Sequence, residues 1–269
     1  MLLKIFLALS SISPYSKKLL WKQWYQFLAS HYPTKEWSFM NYGYTAIDDH
    51  FETLKLNEAD EPDRYAMQLY HHVTRAVDLL NLDVLEIGSG RGGGASYVAR
   101  YLKPKTLIGL DYSDSAIQFC KRAHAVDGLS FIKGDAESLA FDAGRFDAVI
   151  NIESSHCYGS METFLANVKR VLRQNGYFLY ADFRNKNDVV VLQNQMEQSG
   201  MKILKREDIT ANVLRSLDLD DQRKLLLIRA LFRDWLLKPF QEFAGVKGSK
   251  IYSGFQSGTM AYLHYVLQK

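Results

Sequence analysis

The residues placed to do chemistry crowd into the stretch from Asp83 to Tyr97, where Glu86 is followed by glycines at 88, 90, 92, 93 and 94. Glycines leave room where the backbone turns sharply and where a ligand lies against it. Val84, Leu85 and Ile87 ahead of them read as a short buried strand, and a helix opens near Gly93. The unpaired N–H groups of that helix's first turn suit an anionic or polar ligand. What the turn holds depends on Glu86. A carboxylate just ahead of the turn suits an ammonium or sulfonium charge and disfavours a pyrophosphate, which points to S-adenosylmethionine. Gly88, Gly90 and Gly93 also satisfy G-x-G-x-x-G, with Asp111 about twenty residues on, where a dinucleotide enzyme keeps its ribose acid. The glycines alone therefore leave a nicotinamide-dependent oxidoreductase open beside a methyltransferase.

Other polar residues stand at the ends of successive apolar runs. A strand over 106–110 leads to Asp111 and Tyr112, and one over 129–132 to Gly134, Asp135, Ala136 and Glu137. A strand over 146–152, which carries Asn151, leads to Glu153, Ser154, Ser155, His156, Cys157 and Tyr158; one over 177–181 leads to Asp182. Helical spacing over 113–123, 161–172 and 188–197 separates these runs, and an earlier helix covers 63–80. This alternation predicts an α/β fold, a mostly parallel sheet with helices on both faces. In such sheets the ligand lies beyond the carboxyl ends of the strands, where these polar residues gather.

The flanks are less regular. Residues 37–49 read as an aromatic loop. After a strand over 202–205, helices over 208–216 and 220–237 end at Pro239, and a Gly/Ser-rich loop from Gly245 to Gly258 precedes a last strand over 260–267. The expected organisation is an N-terminal helical cap over 1–60 and a Rossmann-like domain over 61–269 with a helical lid at about 207–258 inserted before an edge strand. Met1 to Leu9 resembles a brief signal h-region, but no small-x-small cleavage site follows. Leu19, Trp21, Trp24, Tyr25, Phe27 and Leu28, interspersed with Lys17, Lys18 and Lys22, form an amphipathic helix that packs on the domain or touches a membrane surface.

Composition sets outer limits. The 269 residues are 47% hydrophobic, enough for a sizeable core. A net charge of +3 is too small to argue for nucleic acid. Two cysteines, Cys120 and Cys157, make no disulfide framework and fit a reduced, cytoplasmic setting, with membrane association left to the N-terminal helix. No apolar run reaches the length of a membrane span, and no metal-ligand set is read.

At these motifs the chain resembles class I S-adenosylmethionine-dependent methyltransferases. It is particularly similar to the mycobacterial phthiotriol/phenolphthiocerol dimycocerosate and glycopeptidolipid O-methyltransferases. The resemblance runs through Asp60-Glu61-Pro62, Leu69-Tyr70-His71, the Gly90 to Tyr97 run, Gly134-Asp135-Ala136-Glu137, Ser154-Ser155-His156-Cys157-Tyr158, Val171-Leu172-Arg173 and Tyr180-Ala181-Asp182. Arg91 departs from it, since these relatives tend to carry histidine there. The resemblance implies a seven-stranded sheet whose last strand is antiparallel. It also implies roles: Glu86 helps hold the methionine amino end, and Gly88, Gly90 and Gly92 let the backbone lie against the cofactor. Asp111 takes the ribose hydroxyls and Tyr112 packs at the adenine. Asp135 and the Ala136 N–H take the adenine edge, and Asn151 offers its carbonyl to the ammonium.

The implied reaction is methyl transfer to a hydroxyl of a lipid-, polyketide- or glycoside-like small molecule, as in secondary metabolism; C- or N-methylation is its competitor. Aligning acceptor and methyl supplies several kcal/mol of the barrier, and a base adds about 10²–10⁴-fold. His156, on the loop expected to border the methyl, is the candidate base. Glu153 orients it or holds the acceptor hydroxyl, and His71 is the reserve.

Overall fold

The computed structural model describes residues 23, 31, 32, 34–47 and 54–269. The aromatic basic segment around Trp21, Trp24 and Phe27 and the apolar Met1–Leu9 stretch lie outside these residues.

Seven strands form one sheet: β1 (Asp83–Ile87), β2 (Thr106–Asp111), β3 (Leu129–Lys133), β4 (Phe146–Ile152), β5 (Leu172–Asn185), β6 (Lys202–Asp208) and β7 (Met260–Gln268). Their order is β3-β2-β1-β4-β5-β7-β6. Only β7 runs against its neighbours, pairing antiparallel with β5 and β6. Every residue of β1 is buried between β2 and β4. The strand order switches sides between the parallel neighbours β1 and β4, which opens a crevice at their carboxyl ends. The glycine turn leaves β1 there and the Glu153–Tyr158 loop leaves β4 there.

Helices cover both faces, so strand side chains are apolar on both sides rather than alternating with polar ones. Val84 and Leu107 face one core with Leu69, Val73 and Val98, while Leu85 and Val149 face the other with Phe164 and Phe178. The helices are α1 (Arg64–Thr74), α2 (Gly93–Tyr97, continued by a π turn Val98–Leu102), α3 (Asp114–Ala123), α4 (Met161–Val171), α5 (Val189–Gln198), α6 (Thr210–Leu231), α7 (Asp234–Ala244) and α8 (Lys250–Gln256). Local signals start several of them. Ser113 Oγ accepts from the Ala116 N–H ahead of α3, and Ser160 Oγ from the Thr163 N–H ahead of α4. Phe164, Leu165, Val168 and Val171 then form the buried stripe of α4. Full burial of a side chain such as Phe164 stabilises by about 1.5–3 kcal/mol.

Three expectations need correction. The helix expected over 63–80 ends at Thr74, whose hydroxyl donates to the Tyr70 carbonyl 2.7 Å away and competes with helix continuation. The helices expected over 208–216 and 220–237 are joined in α6, and the break expected at Pro239 falls instead at Phe232, which is extended; α7 then runs through Pro239. The proline's cost is offset by burial of Leu236 and Phe240 on either side of it. The Gly/Ser-rich loop contains α8, started by Ser249, whose Oγ accepts from the Tyr252 N–H. Among the described residues, no helix is long and apolar enough to cross a membrane.

Candidate active site

The glycine turn is built by contacts on both sides. The Gly88 and Ser89 N–H groups donate to the Leu110 carbonyl at 2.7 and 3.0 Å, which ties the turn to the end of β2. Gly88 has φ +76°, and a Cβ there would lie 2.2 Å from Ser154 Oγ, so a side chain at 88 would push the β4 loop away. Gly90 and Gly92 also take positive φ within the turn. Glu86 is buried on β1 and its Oε1 accepts from the Tyr70 hydroxyl at 2.6 Å. Burial pushes its carboxyl up to about 7, helped by the charge of Asp111 and opposed by Tyr70. Its other oxygen, Oε2, is buried with no protein partner, and so are Ser89 Oγ and Asn151 Oδ1. These polar atoms border the same turn. Buried acceptors of this kind require a donor, and a cationic one would return Glu86 to its ionised form.

The next two strand ends are tied to the turn and to each other. Asp111 Oδ2 accepts from the Gly90 N–H at 2.9 Å and its Oδ1 from the Ser113 N–H at 2.8 Å. Burial nevertheless pushes Asp111 up to about 6 against these backbone hydrogen bonds. Tyr112 follows it, half-buried. The Gly134 N–H donates to the Asp111 carbonyl, and Asp135 Oδ1 accepts from the Glu137 N–H at 3.0 Å. Ala136 is buried beside them. The hydrogen-bonded turn explains Asp135 locally, and the line from Asp111 to Ala136 forms one edge of the crevice.

The other edge is formed by β4 and β5. Asn151 Nδ2 donates to the Ile87 carbonyl at 2.8 Å and faces Ser154 Oγ and the Tyr158 hydroxyl at 2.7 and 2.9 Å. Glu153 takes φ +47°, an uncommon conformation for a side chain of its type. Its Oε1 accepts from the Tyr42 N–H and the Tyr262 hydroxyl, both at 2.8 Å. Burial pushes Glu153 up to about 7, with the Asp182 charge adding and those two donors opposing. His156 Nδ1 lies 2.8 Å from Asp182 Oδ1, and its backbone N–H donates to Asp182 Oδ2 at 2.9 Å. Asp182 has no solvent exposure, yet Ser155 Oγ donates to it at 2.6 Å and Arg184 lies 3.1 Å away. Burial opposes its charged form, but His156 and Arg184 outweigh that and hold Asp182 below the usual carboxylate range. Burial likewise disfavours the imidazolium of His156, but Cys157 and Asp182 outweigh it and raise His156 well above its ordinary value. His71 stands apart from this pair, its Nδ1 3.2 Å from the Tyr97 hydroxyl.

Residues 85–180 match the family described as a methyltransferase domain. Over 252 residues the chain is 37% identical to the phthiotriol/phenolphthiotriol dimycocerosates methyltransferase of Mycobacterium tuberculosis, covering 94% of this chain and 93% of that protein. The chain belongs to this methyltransferase family. Over 204 residues it is 42% identical to a fatty-acid O-methyltransferase of Mycolicibacterium smegmatis, covering 74% of each. Among solved structures, a cyclopropane synthase from Mycobacterium tuberculosis superposes with TM-score 0.68 at 13% identity, covering 91% of this chain and 98% of that one. The cyclase SpnF also superposes with TM-score 0.68, at 17% identity over 92% and 94%. These two establish the class I fold alone. Membership removes the nicotinamide-dependent oxidoreductase that the glycine pattern left open.

Beside the crevice the methyltransferase carries a groove of about 650 Å³, open mouth included. Trp37, Met40, Tyr42, Leu227, Phe232 and Phe240 line it, so it lies between the 36–43 segment and the α6–α7 pair. Arg91 pins that segment: its guanidinium donates to the carbonyls of Trp37, Tyr32 and Thr34 and lies over the Trp37 and Phe119 rings. Burial lowers Arg91 to about 10.

Sequence reasoning placed Asp182 at the ligand edge without giving it a role, and passed over Arg184, Tyr70 and Ser89 as members of the site. The neighbouring order of β4 and β5 was the available signal for Asp182, because neighbouring parallel strands deliver their terminal loops side by side. Nothing in the local sequence paired Tyr70 with Glu86.

Proposed function

We propose that this methyltransferase takes its methyl group from S-adenosylmethionine and delivers it to a hydroxyl of an apolar, lipid-like small molecule. The observation that carries the reading is the position of Met40. It lines the aromatic groove and also stands over the glycine turn, where a Cβ on Gly90 would lie 2.5 Å from its Cε. A largely apolar groove, with Asp63, Asp220, Arg223 and Lys224 also on its wall, thus abuts a cradle of buried acceptors. The relatives named for phthiotriol lipids and a fatty acid support an apolar acceptor.

When bound, S-adenosylmethionine supplies an electrophilic methyl carbon on a sulfonium. Glu86 and Asn151 would hold its ammonium, Asp111 and Tyr112 its ribose and adenine, and Asp135 with the Ala136 N–H the adenine edge. Gly88, Gly90 and Gly92 keep the turn bare for it. His156, once its imidazole is deprotonated, receives the acceptor's hydroxyl proton on Nε2, while Asp182 fixes the ring through Nδ1 and stabilises the imidazolium. Glu153, uncharged over part of the neutral range, orients the acceptor oxygen. Residues 34–47 and 54–60 cap the 61–269 domain, and 207–258 act as a lid that excludes water. The setting is cytoplasmic, with the N-terminal segment near a lipid surface.

Calorimetry tests the cofactor half. S-adenosylhomocysteine should bind and NADH should not, and Glu86→Gln should weaken S-adenosylmethionine by about 1–3 kcal/mol. Unchanged affinity in a folded variant would remove Glu86 from the site. Radiolabelled transfer tests the acceptor half, using long-chain alcohols against short polar ones. Labelling of only the short polar alcohols would defeat the apolar reading.

A further inference from the structure

Three residues outside the methyl-transfer site converge on one point between α1 and the β6–β7 edge. His72 projects from α1, Glu207 stands near the end of β6, and His264 lies opposite Glu207 on β7. Glu207 Oε2 is 2.9 Å from His72 Nε2 and 3.3 Å from His264 Nδ1, and the three atoms all lie within 4.8 Å of one another. Donors bonded at about 2.0–2.2 Å to one tetrahedral ion stand about 3.3–3.6 Å apart, so the trio needs to open by only a few tenths of an ångström at His72 to take one. We propose that His72, Glu207 and His264 form a structural site for one divalent transition-metal ion, with zinc the best match.

The donor set is of the right kind. Two imidazoles and one carboxylate suit zinc and its first-row neighbours rather than calcium or magnesium. The rings are fixed in place beforehand. His72 is 1% exposed and stacks on Tyr44 with centroids 4.1 Å apart, and His264 is fully buried within β7. Glu207 has a side chain 35% exposed, which gives an ion a route from solvent.

Two cations face the cluster. Lys205 Nζ lies 2.7 Å from the same Glu207 oxygen, and the charge of Arg75 reaches both rings. The ammonium sits where a metal would compete for the carboxylate, and Arg75 limits the affinity. An ion here would join α1, whose Tyr70 holds Glu86, to β7, whose Tyr262 holds Glu153. It would thus brace the site without touching the reaction. Residues 72, 207 and 264 are too far apart in sequence to form a ligand motif, so the set becomes visible only in the fold.

The test uses the full chain without an affinity tag, stripped with a chelator. Zinc chloride titration should give one ion per chain and raise the thermal midpoint, and cobalt chloride should give the visible absorption of a tetrahedral site. Glu207→Gln, at a half-exposed position, should keep the fold, lose the thermal shift and weaken zinc by at least about 10-fold. Lys205→Met should strengthen it by removing the competitor. Zinc binding by Glu207→Gln equal to wild type, or a wild type with neither zinc uptake nor cobalt absorption, would make the trio a hydrogen-bonded strut and overturn the proposal.

Discussion

Asp182 is buried, charged and shared among His156, Ser155 and Arg184. Its effect on His156 is to raise the imidazole's affinity for a proton, which makes a stronger base that is emptied only at higher pH. The methyl-transfer rate should therefore rise with pH around a midpoint above the reference of about 6.5. Asp182→Asn should bring the midpoint back toward that reference and lower kcat by about 10²–10⁴-fold, with S-adenosylhomocysteine affinity nearly unchanged. A midpoint that does not move in a folded variant would mean that Asp182 does not set the basicity of His156. Stability responds in the opposite sense. His156, raised on folding, contributes fully below about 6.5 and loses that contribution as pH climbs through its raised value. Asp182, lowered on folding, contributes above about 3.9 and loses it as pH falls. Alkaline conditions that free the base thus weaken the pair that holds it. At this scale the sequence marked His156, because it follows a strand in the crevice, but not its partner 26 residues away.

Elements were legible where local signals agreed. β1, the turn and the start of α2 could be read from apolar run, glycines and spacing. Helical spacing over 113–123 and 161–172 marked the two helices that Ser113 and Ser160 are now seen to cap. The α6–α8 region was harder, because its breaks are tertiary. Phe232 turns the chain to reach the cluster of Ile228, Leu236 and Phe240, and no glycine or proline announces it. Gly245, read as a loop residue, is the left-handed residue that ends α7. The 36–43 segment has little regular structure of its own and is held by Arg91, whose contacts run 54 to 59 residues back along the chain. Arg91→Ala would leave the Tyr32, Thr34 and Trp37 carbonyls without that donor and remove the stacking on Trp37 and Phe119. Loss of hydrogen bonds to a charged group costs about 1.5–3 kcal/mol. The expected result is a lower thermal midpoint and a raised KM for an apolar acceptor, with a smaller change in kcat. An unchanged KM would show that the segment holds its place without the arginine.

Across the described residues the apolar side chains divide into two large cores, one on each face of the sheet, and a smaller cluster of Ile228, Phe232, Leu236, Phe240 and Val246 packed with Tyr32 and Trp37. The first two include the strands that carry Glu86, Asn151 and Asp182. The third belongs to α6, α7 and the segment pinned by Arg91, so the groove lies between a rigid support and a separately packed cover. Stability is then expected to be uneven, because a small cluster buries less apolar area per ordered residue than a sheet core. Amide exchange measured by mass spectrometry should show β1, β4 and β5 opening only with global unfolding, and α7 opening at lower free energy. Adding S-adenosylhomocysteine should slow exchange in 34–44, because Met40 and Phe39 lie against Gly90 and Gly93. An apolar alcohol added with it should extend the slowing to α7 through Phe232 and Phe240. If α7 exchanges as slowly as β4 in the free protein, the cover is part of the rigid support and acceptor access must come by another route. If the cofactor product slows the strands alone, the turn and the segment above it are uncoupled.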